Sequence, residues 1–282
     1  MNNQTFYEGW NTRNHLQEFD GWNAQSDAHF NFVYGCFAEQ QFLKKAFFAT
    51  PRPKILDVGC ATGTTFRYIR NFAKGRDFDY LGVDLSQPAI DRARALYPET
   101  KFVKKGHEKL IDFIGGRRDI VCSRDTVMHQ TQPYEFLAEL LDVAEKFLTL
   151  RLRTRDRGAT VFDVEASCQA HYDKFWMPYI VLNIDELIAF LKAHPAVARV
   201  TFNRSYEVLG GHNLRFLPKD LYFTDAGGAE TSVLIELSRG SVQDGVEVQF
   251  DDRLQGHAYL RQHRLRRYAH AAMSRLLRPR RG

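Results

Sequence analysis

The 282-residue sequence has no apolar run of the roughly 18 residues that a membrane-spanning helix requires, so no transmembrane segment is expected. Its first residues, MNNQTFYEGWNTRN, have neither the basic nor the apolar stretch of a secretory leader, which points to the cytoplasm. Cysteine is scarce: Cys36, Cys60, Cys122 and Cys168 lie far apart and form no CxxC pair. That spacing argues against a disulfide framework and against a zinc site; small buried side chains are the simpler reading. Carboxylates do not cluster near any motif, since the pair Asp251–Asp252 falls outside them, and no metal is expected. Internal repeats and low-complexity tracts are missing too.

Acids and lysines are absent from one stretch. Between Arg253 and Gly282 there are nine arginines, no lysine and no acid. The rest holds thirty Lys and Arg against thirty-four Asp and Glu, so a mildly acidic body carries a basic tail. Leu265, Tyr268, Ala269, Ala272 and Leu276 recur on one helical face, predicting a basic amphipathic helix within 251–282. Three partners fit it: the chain's own body or a second subunit, as in a homo-oligomer; an anionic membrane at its cytoplasmic face; or RNA. Nucleic acid is the least favoured, because the body shows no basic patch.

What is present is an alternation. KILDV (54–58), YLGVD (80–84), KFVKK (101–105), DIVCS (119–123) and FLTLRLRT (147–154) read as strands. Helical spacing fills the gaps, with Ser86 as an N-cap, Pro88 in the first turn, and Phe136, Leu137, Leu140, Leu141 and Ala144 on one face. Such alternation predicts an α/β fold with a doubly wound parallel sheet. Residues 155–183 break the rhythm as an insertion; a helix (184–194) and two strands (198–208 and 231–240) follow. One helix is predicted over 27–48 within an N-terminal helical or lid segment, 1–50, ahead of a catalytic domain, 51–250.

The first strand runs into Asp57-Val-Gly59-Cys60-Ala61-Thr-Gly63. Against the dinucleotide fingerprint G-x-G-x-x-G, the second glycine is Ala61 and the third is Thr64, which hinders close approach of a pyrophosphate. NAD is therefore disfavoured. Gly59 and Gly63 permit a tight turn, and the helix start beyond offers N–H groups to a carboxylate. Asp84, ending the second strand, offers two oxygens to the hydroxyls of a ribose. A phosphate-free nucleoside with a carboxylate describes S-adenosyl-L-methionine (SAM).

ILDVGCATG, LGVDLSQPAIDRAR and DIVCSRDTVMHQ, in this order, resemble a class I SAM-dependent methyltransferase over residues 50–155. The resemblance implies a Rossmann-like sheet of seven strands, order 3-2-1-4-5-7-6 with strand 7 antiparallel, the two late strands being 6 and 7. It also implies that Asp57, Gly59, Cys60 and Ala61 line the methionine end of the cofactor, that Gly63 belongs to the cofactor set, that Asp84 holds the ribose and that Leu85 packs on the adenine. His107 and Glu108 take the place of the family's adenine-binding acid, and Ser123 and Arg124 join the cofactor set. The chain departs from the family in lacking an LKPGG turn before strand 5.

Methyl transfer from a sulfonium is an in-line displacement, and a hydroxyl acceptor also needs a base. Asp125 and His129 are spaced i, i+4, which on a helix puts them on one side; His129 is the preferred base with Asp125 orienting it, the alternatives being substrate binding without proton transfer and a polar residue closing a turn. Arg124 is alternatively a contact to acceptor or cofactor. His171 in the insertion competes as base, and Glu165, Tyr172, Trp176, Tyr179 and Asn183 combine rings with hydrogen-bonding tips, a set suited to a sugar. Trp10 and Trp22 suit a lid or core packing. The expected activity is O-methylation of a glycan, glycolipid or small metabolite; an RNA methyltransferase and a non-catalytic cofactor-binding module are the alternatives.

Overall fold

Five strands form where the β-rich runs stand: β1 (Lys54–Val58), β2 (Asp79–Asp84), β3 (Lys101–Lys104), β4 (Arg118–Arg124) and β5 (Ala144–Arg155). This computed structural model describes residues 9–11, 13–106, 108–171, 175–206, 215–222, 227–240 and 245–251. The basic helix expected after Asp251 therefore lies outside the described residues. Between the strands stand α4 (Thr64–Ala73), α5 (Gln87–Leu96), α6 (Leu110–Ile114) and α7 (Pro133–Val143). Ser86 caps α5 as its sequence implies, its hydroxyl accepting from the Ala89 N–H.

β1 to β5 pair in parallel in the order β3-β2-β1-β4-β5. β11 (Gly228–Leu237) joins β5 antiparallel, and β9 (Val197–Tyr206) joins β11 antiparallel. The order 3-2-1-4-5-7-6 thus holds, with β11 inserted antiparallel between β5 and β9. The expected count of seven does not: β12 (Glu247–Phe250) adds an eighth strand beside β9, and β8 (Leu182–Asn183) pairs with the end of β5. Part of the 155–183 insertion forms a separate three-stranded sheet of β6 (Cys168–His171), β7 (Phe175–Pro178) and β10 (Arg215–Phe216).

Successive side chains of a strand point to opposite faces, and two cores result. Leu56, Val121, Leu148 and Val233 pack with Leu137, Leu140 and Leu141 of α7 and Leu187 of α8 (Ile184–Ala193). Ile55, Tyr80, Phe102 and Ile120 meet Phe66 and Ile69 of α4 on the other face. The N-terminal segment completes that second core through α2 (Asp27–Tyr34) and α3 (Ala38–Ala49), which follow α1 (Arg13–Asn23). Trp22 packs edge-on against Phe30 and Tyr34 there, so it is a core residue.

Two local expectations are corrected. The single helix over 27–48 is broken at residues 35–37, where Gly35 passes so close to Tyr68 that a Cβ would stand 3.0 Å from its hydroxyl. Phe37 is extended there, and its ring lies 4.6 Å from the guanidinium of Arg124 and of Arg151. Ala144, read as a helix-face residue, opens β5 instead: α7 passes into the strand without a loop, which replaces the missing turn. Among the described residues no helix is long and apolar enough to cross a membrane.

Candidate active site

The turn after β1 holds three residues at positive φ: Gly59 (79°), Ala61 (45°) and Gly63 (84°). A Cβ on Gly59 would collide with the Thr126 hydroxyl and stand 3.0 Å from its Cγ2, so glycine is required by space as well as by φ. The Gly59 and Cys60 N–H groups both donate to the Val83 carbonyl, at 2.9 and 3.1 Å, pinning the turn to β2. Asp84 accepts from the Ala61 N–H on Oδ2 and from the Ser86 N–H on Oδ1, each at 2.9 Å. The Leu85 N–H also bonds the carboxylate, and since each carboxylate oxygen has two lone pairs, one acceptor site stays for a ligand hydroxyl. Burial pushes the Asp84 pKa up, against those N–H bonds. Leu85 follows, half-buried. At the start of α4 the N-cap is Gly63, which has no side chain to cap the first-turn N–H groups, the kind of helix end that can receive a carboxylate. Turn, acid and helix end fit SAM: Asp84 would take the ribose, and the Gly59–Gly63 turn with the α4 start the methionine end.

Several other residues expected at the cofactor make contacts within the fold. Asp57 accepts from the Tyr80 hydroxyl at 2.6 Å inside the sheet, and burial pushes its pKa up to about 6. Cys60 packs its thiol in the second core, so only its backbone lines the turn. Ser123 donates to the Val58 carbonyl at 2.9 Å, tying β4 to β1. Arg124 donates through Nε to Glu39 at 2.8 Å and stacks against Tyr34 and Phe37. Glu108 is exposed after β3, and His107 lies outside the described residues.

Asp125 and His129 do not share a helix face. Asp125 is left-handed (φ 54°), and a short 3-10 turn, Val127–His129, follows. The orienting partner of His129 is the carbonyl of Pro178, 2.8 Å from Nδ1, rather than Asp125. Trp10 meets the imidazole edge-on at 4.9 Å and Tyr179 does so at 5.8 Å. Burial is the main reason the His129 pKa falls to about 4; the cations of Arg153 and Arg215 push the same way.

Asp125 instead joins an ion network. Its Oδ2 lies 3.4 Å from Arg151 Nη1 and its Oδ1 lies 3.5 Å from Arg153 Nη1. Glu230 Oε2 sits 2.6 Å from Arg151 Nη2 and 3.2 Å from Arg153 Nη2. Glu39 receives Arg124 and, at 2.9 Å, the Ser232 hydroxyl. Burial raises the Asp125 carboxyl, but Arg151, Arg124 and Arg153 outweigh it and hold the pKa below the usual range. Sequence reasoning missed this network, although Arg151, Arg153 and Arg155 at alternate positions of one strand carried the signal.

Of the acceptor candidates in the insertion, Tyr179 reaches His129. Trp176 rests on Phe216 with centroids 4.9 Å apart, and Glu165 is exposed in a turn. Asn183 caps α8: its Oδ1 accepts from the Asp185 and Glu186 N–H groups, and Nδ2 donates to the Gly158 carbonyl. His171 ends β6 opposite Phe175, and Tyr172 lies outside the described residues. Trp10, by contrast, crosses the site: its carbonyl accepts from Ser86 at 2.8 Å while its ring touches His129.

Residues 56–146 match the family model described as a methyltransferase domain. Among solved structures the chain is similar to the plantazolicin methyltransferase BamL in complex with a triazolic desmethylPZN analog and SAH, at 13% identity over 83% of this chain and 94% of that one (TM-score 0.50). It is also similar to magnesium protoporphyrin IX methyltransferase (ChlM) from Synechocystis PCC 6803 with bound SAH, at 12% identity over 84% and 99% (TM-score 0.49). A third is the N-terminal domain of EvdMO1 with SAH bound, at 16% identity over 71% and 82% (TM-score 0.47). No curated protein sequence matches. Residues 56–146 thus carry a methyltransferase domain, the fold is Rossmann-like, and the cofactor is S-adenosylmethionine.

Proposed function

We propose that the enzyme methylates a hydroxyl of a glycan, glycolipid or small metabolite, with His129 receiving the hydroxyl proton. The observation that carries this reading is the 2.8 Å contact of His129 Nδ1 with the Pro178 carbonyl. A carbonyl oxygen only accepts, so Nδ1 holds the proton and Nε2 keeps a lone pair. With a pKa of about 4 the ring is neutral at physiological pH, which makes Nε2 available at some loss of basicity. Bound SAM would supply a methyl group on a sulfonium, its C–S bond breaking with the electron pair left on sulfur as the acceptor oxygen forms the new C–O bond. Nε2 takes the proton that the oxygen loses, while Trp10 and Tyr179 hold the imidazole edge-on and restrict water. The same two rings suit the apolar faces of a sugar.

The test is transfer of labelled methyl from SAM to hydroxylated acceptors by the full chain, together with His129→Gln. Gln keeps a donor for the Pro178 carbonyl but supplies no base. The expected loss in kcat is about 10²–10⁴-fold, with SAH affinity retained. Unchanged turnover removes His129 from the chemistry, and label entering RNA alone removes the hydroxylated small-acceptor reading.

A further inference from the structure

Among the described residues, four buried polar atoms on the sheet face that carries the Asp125–Glu230 ion network have no hydrogen-bond partner: Nε of Arg151, Nε of Arg153, Nδ2 of Asn203 and Oγ of Ser205. The strand register brings them together. Arg151 pairs with Ser232 and Ser232 with Asn203; one step on, Arg153 pairs with Glu230 and Glu230 with Ser205. Directly paired residues share a sheet face, so all four side chains lie on the face of β5, β11 and β9 that also receives Glu39 of α3 through Ser232. Asn203 and Ser205 are 2% and 3% exposed. Native proteins leave few such groups unpaired, because each forfeits its hydration without return. Two on β5 and two on β9, flanking Ser232 and Glu230 of β11, call for an occupant. They also stand towards the carboxyl end of β5, the end at which open α/β sheets bind ligands.

The chemistry of the four atoms selects the occupant. Two guanidinium Nε–H groups and an amide NH₂ only donate, and a hydroxyl can donate as well. Such a set fits a group made of acceptor oxygens, and guanidinium donors bind carboxylate and phosphoryl oxygens most strongly. The outer nitrogens of Arg151 and Arg153 are already matched to Asp125 and Glu230, so both forks are held in place. A further guanidinium, that of Arg215, lies 4.5 Å from the ring of Tyr179, the neighbour of His129.

We propose that the acceptor is an oxyanion-bearing hydroxyl compound whose carboxylate or phosphoryl oxygens seat on Arg151, Arg153, Asn203 and Ser205 while its hydroxyl faces His129. This rests on the hydroxyl-methylation reading and adds to it the charged class of the acceptor. The seat is separate from the SAM contacts at Asp84 and the Gly59–Gly63 turn.

The experiment titrates the full chain, saturated with SAH, with matched acids and neutral analogues at low ionic strength: D-glucuronate and glucose 6-phosphate against D-glucose, and 4-hydroxybenzoate against 4-hydroxybenzyl alcohol. At least one acid is expected to bind about tenfold or more tightly than its neutral partner, and the acid that does so distinguishes carboxylate from phosphoryl. Arg153→Lys and Asn203→Leu are each expected to abolish that preference, with SAH affinity unchanged as the control for folding. Equal binding within every pair, or a preference that survives both substitutions, overturns the proposal and leaves the four atoms to ordered water. Methyl transfer to neutral hydroxyls without an acid preference discards the oxyanion seat alone. An intact acid preference without transfer to any hydroxyl discards the methylation reading alone.

Discussion

Acidification of an Asp57→Asn variant exposes a balance that the wild type conceals. His129 is depressed from an ordinary value of 6.5 to about 4 because its ring is buried. At about 1.36 kcal/mol per pKa unit, this is worth roughly 3 kcal/mol. Its contribution is fully present above pH 6.5 and is lost as pH falls through about 4, since the unfolded chain takes up the proton first. Asp57 works in the opposite direction: burial raises it from 3.8 to about 6. Its contribution is fully present below pH 3.8 and is lost as pH rises through about 6, and it is also roughly 3 kcal/mol. Between pH 4 and 6 the two slopes oppose each other. Asn at position 57 still accepts from the Tyr80 hydroxyl but does not titrate, so the slope that opposes His129 most directly is removed. The His129 share is then the difference between Asp57→Asn and Asp57→Asn/His129→Gln, because Asp84 and His194 titrate alike in both. Urea unfolding at half-unit steps should show that difference changing by about 3 kcal/mol between pH 6.5 and 4. A difference that does not vary with pH would refute the argument that burial holds His129 neutral.

The remaining expectations concern activity and binding. If Nε2 is the base, kcat should stay level from neutrality to about pH 5 and fall below it, following the His129 pKa of about 4 rather than 6.5; a break near 6.5 points to another group. Gly59→Ala places a methyl against Thr126 at a φ of 79°, and calorimetry should show SAH binding weakened by about tenfold or more. Asp84→Asn turns one acceptor oxygen towards an NH₂ that faces the Ala61 or Ser86 N–H, and should cost about 1.5–3 kcal/mol of SAH affinity. Asn183→Ala removes a helix cap and should lower unfolding stability by about 0.5–2 kcal/mol with kcat unchanged; a large fall in kcat would return Asn183 to the acceptor site.

The strand–helix rhythm, the Ser86 cap, the glycine turn and the position of Asp84 were all legible in the chain, because each is a local matter. Alternation with a period of two or 3.6 reports burial within one element, and a glycine reports backbone geometry at its own residue. The arginines at every second position of β5 belong with these signals, although their partners do not. What residue type left open was the partner of each polar side chain. Ser123 and Arg124 carry groups suited to a cofactor, yet one meets Val58 and the other Glu39, 65 and 85 residues away. Asn183 is the reverse case: its cap on α8 is local, but only the observed helix start distinguishes a cap from a sugar contact.

The sequence by itself determined an α/β methyltransferase domain and the positions of its glycine turn and of Asp84 at the strand end. Only the tertiary structure decided that His129 leans on Pro178, 49 residues on, and that Trp10 reaches it from the far end of the chain. The reason is physical: which distant strands lie side by side depends on the order of the whole sheet, and a side chain spends its hydrogen bonds on whatever that order brings within about 3 Å.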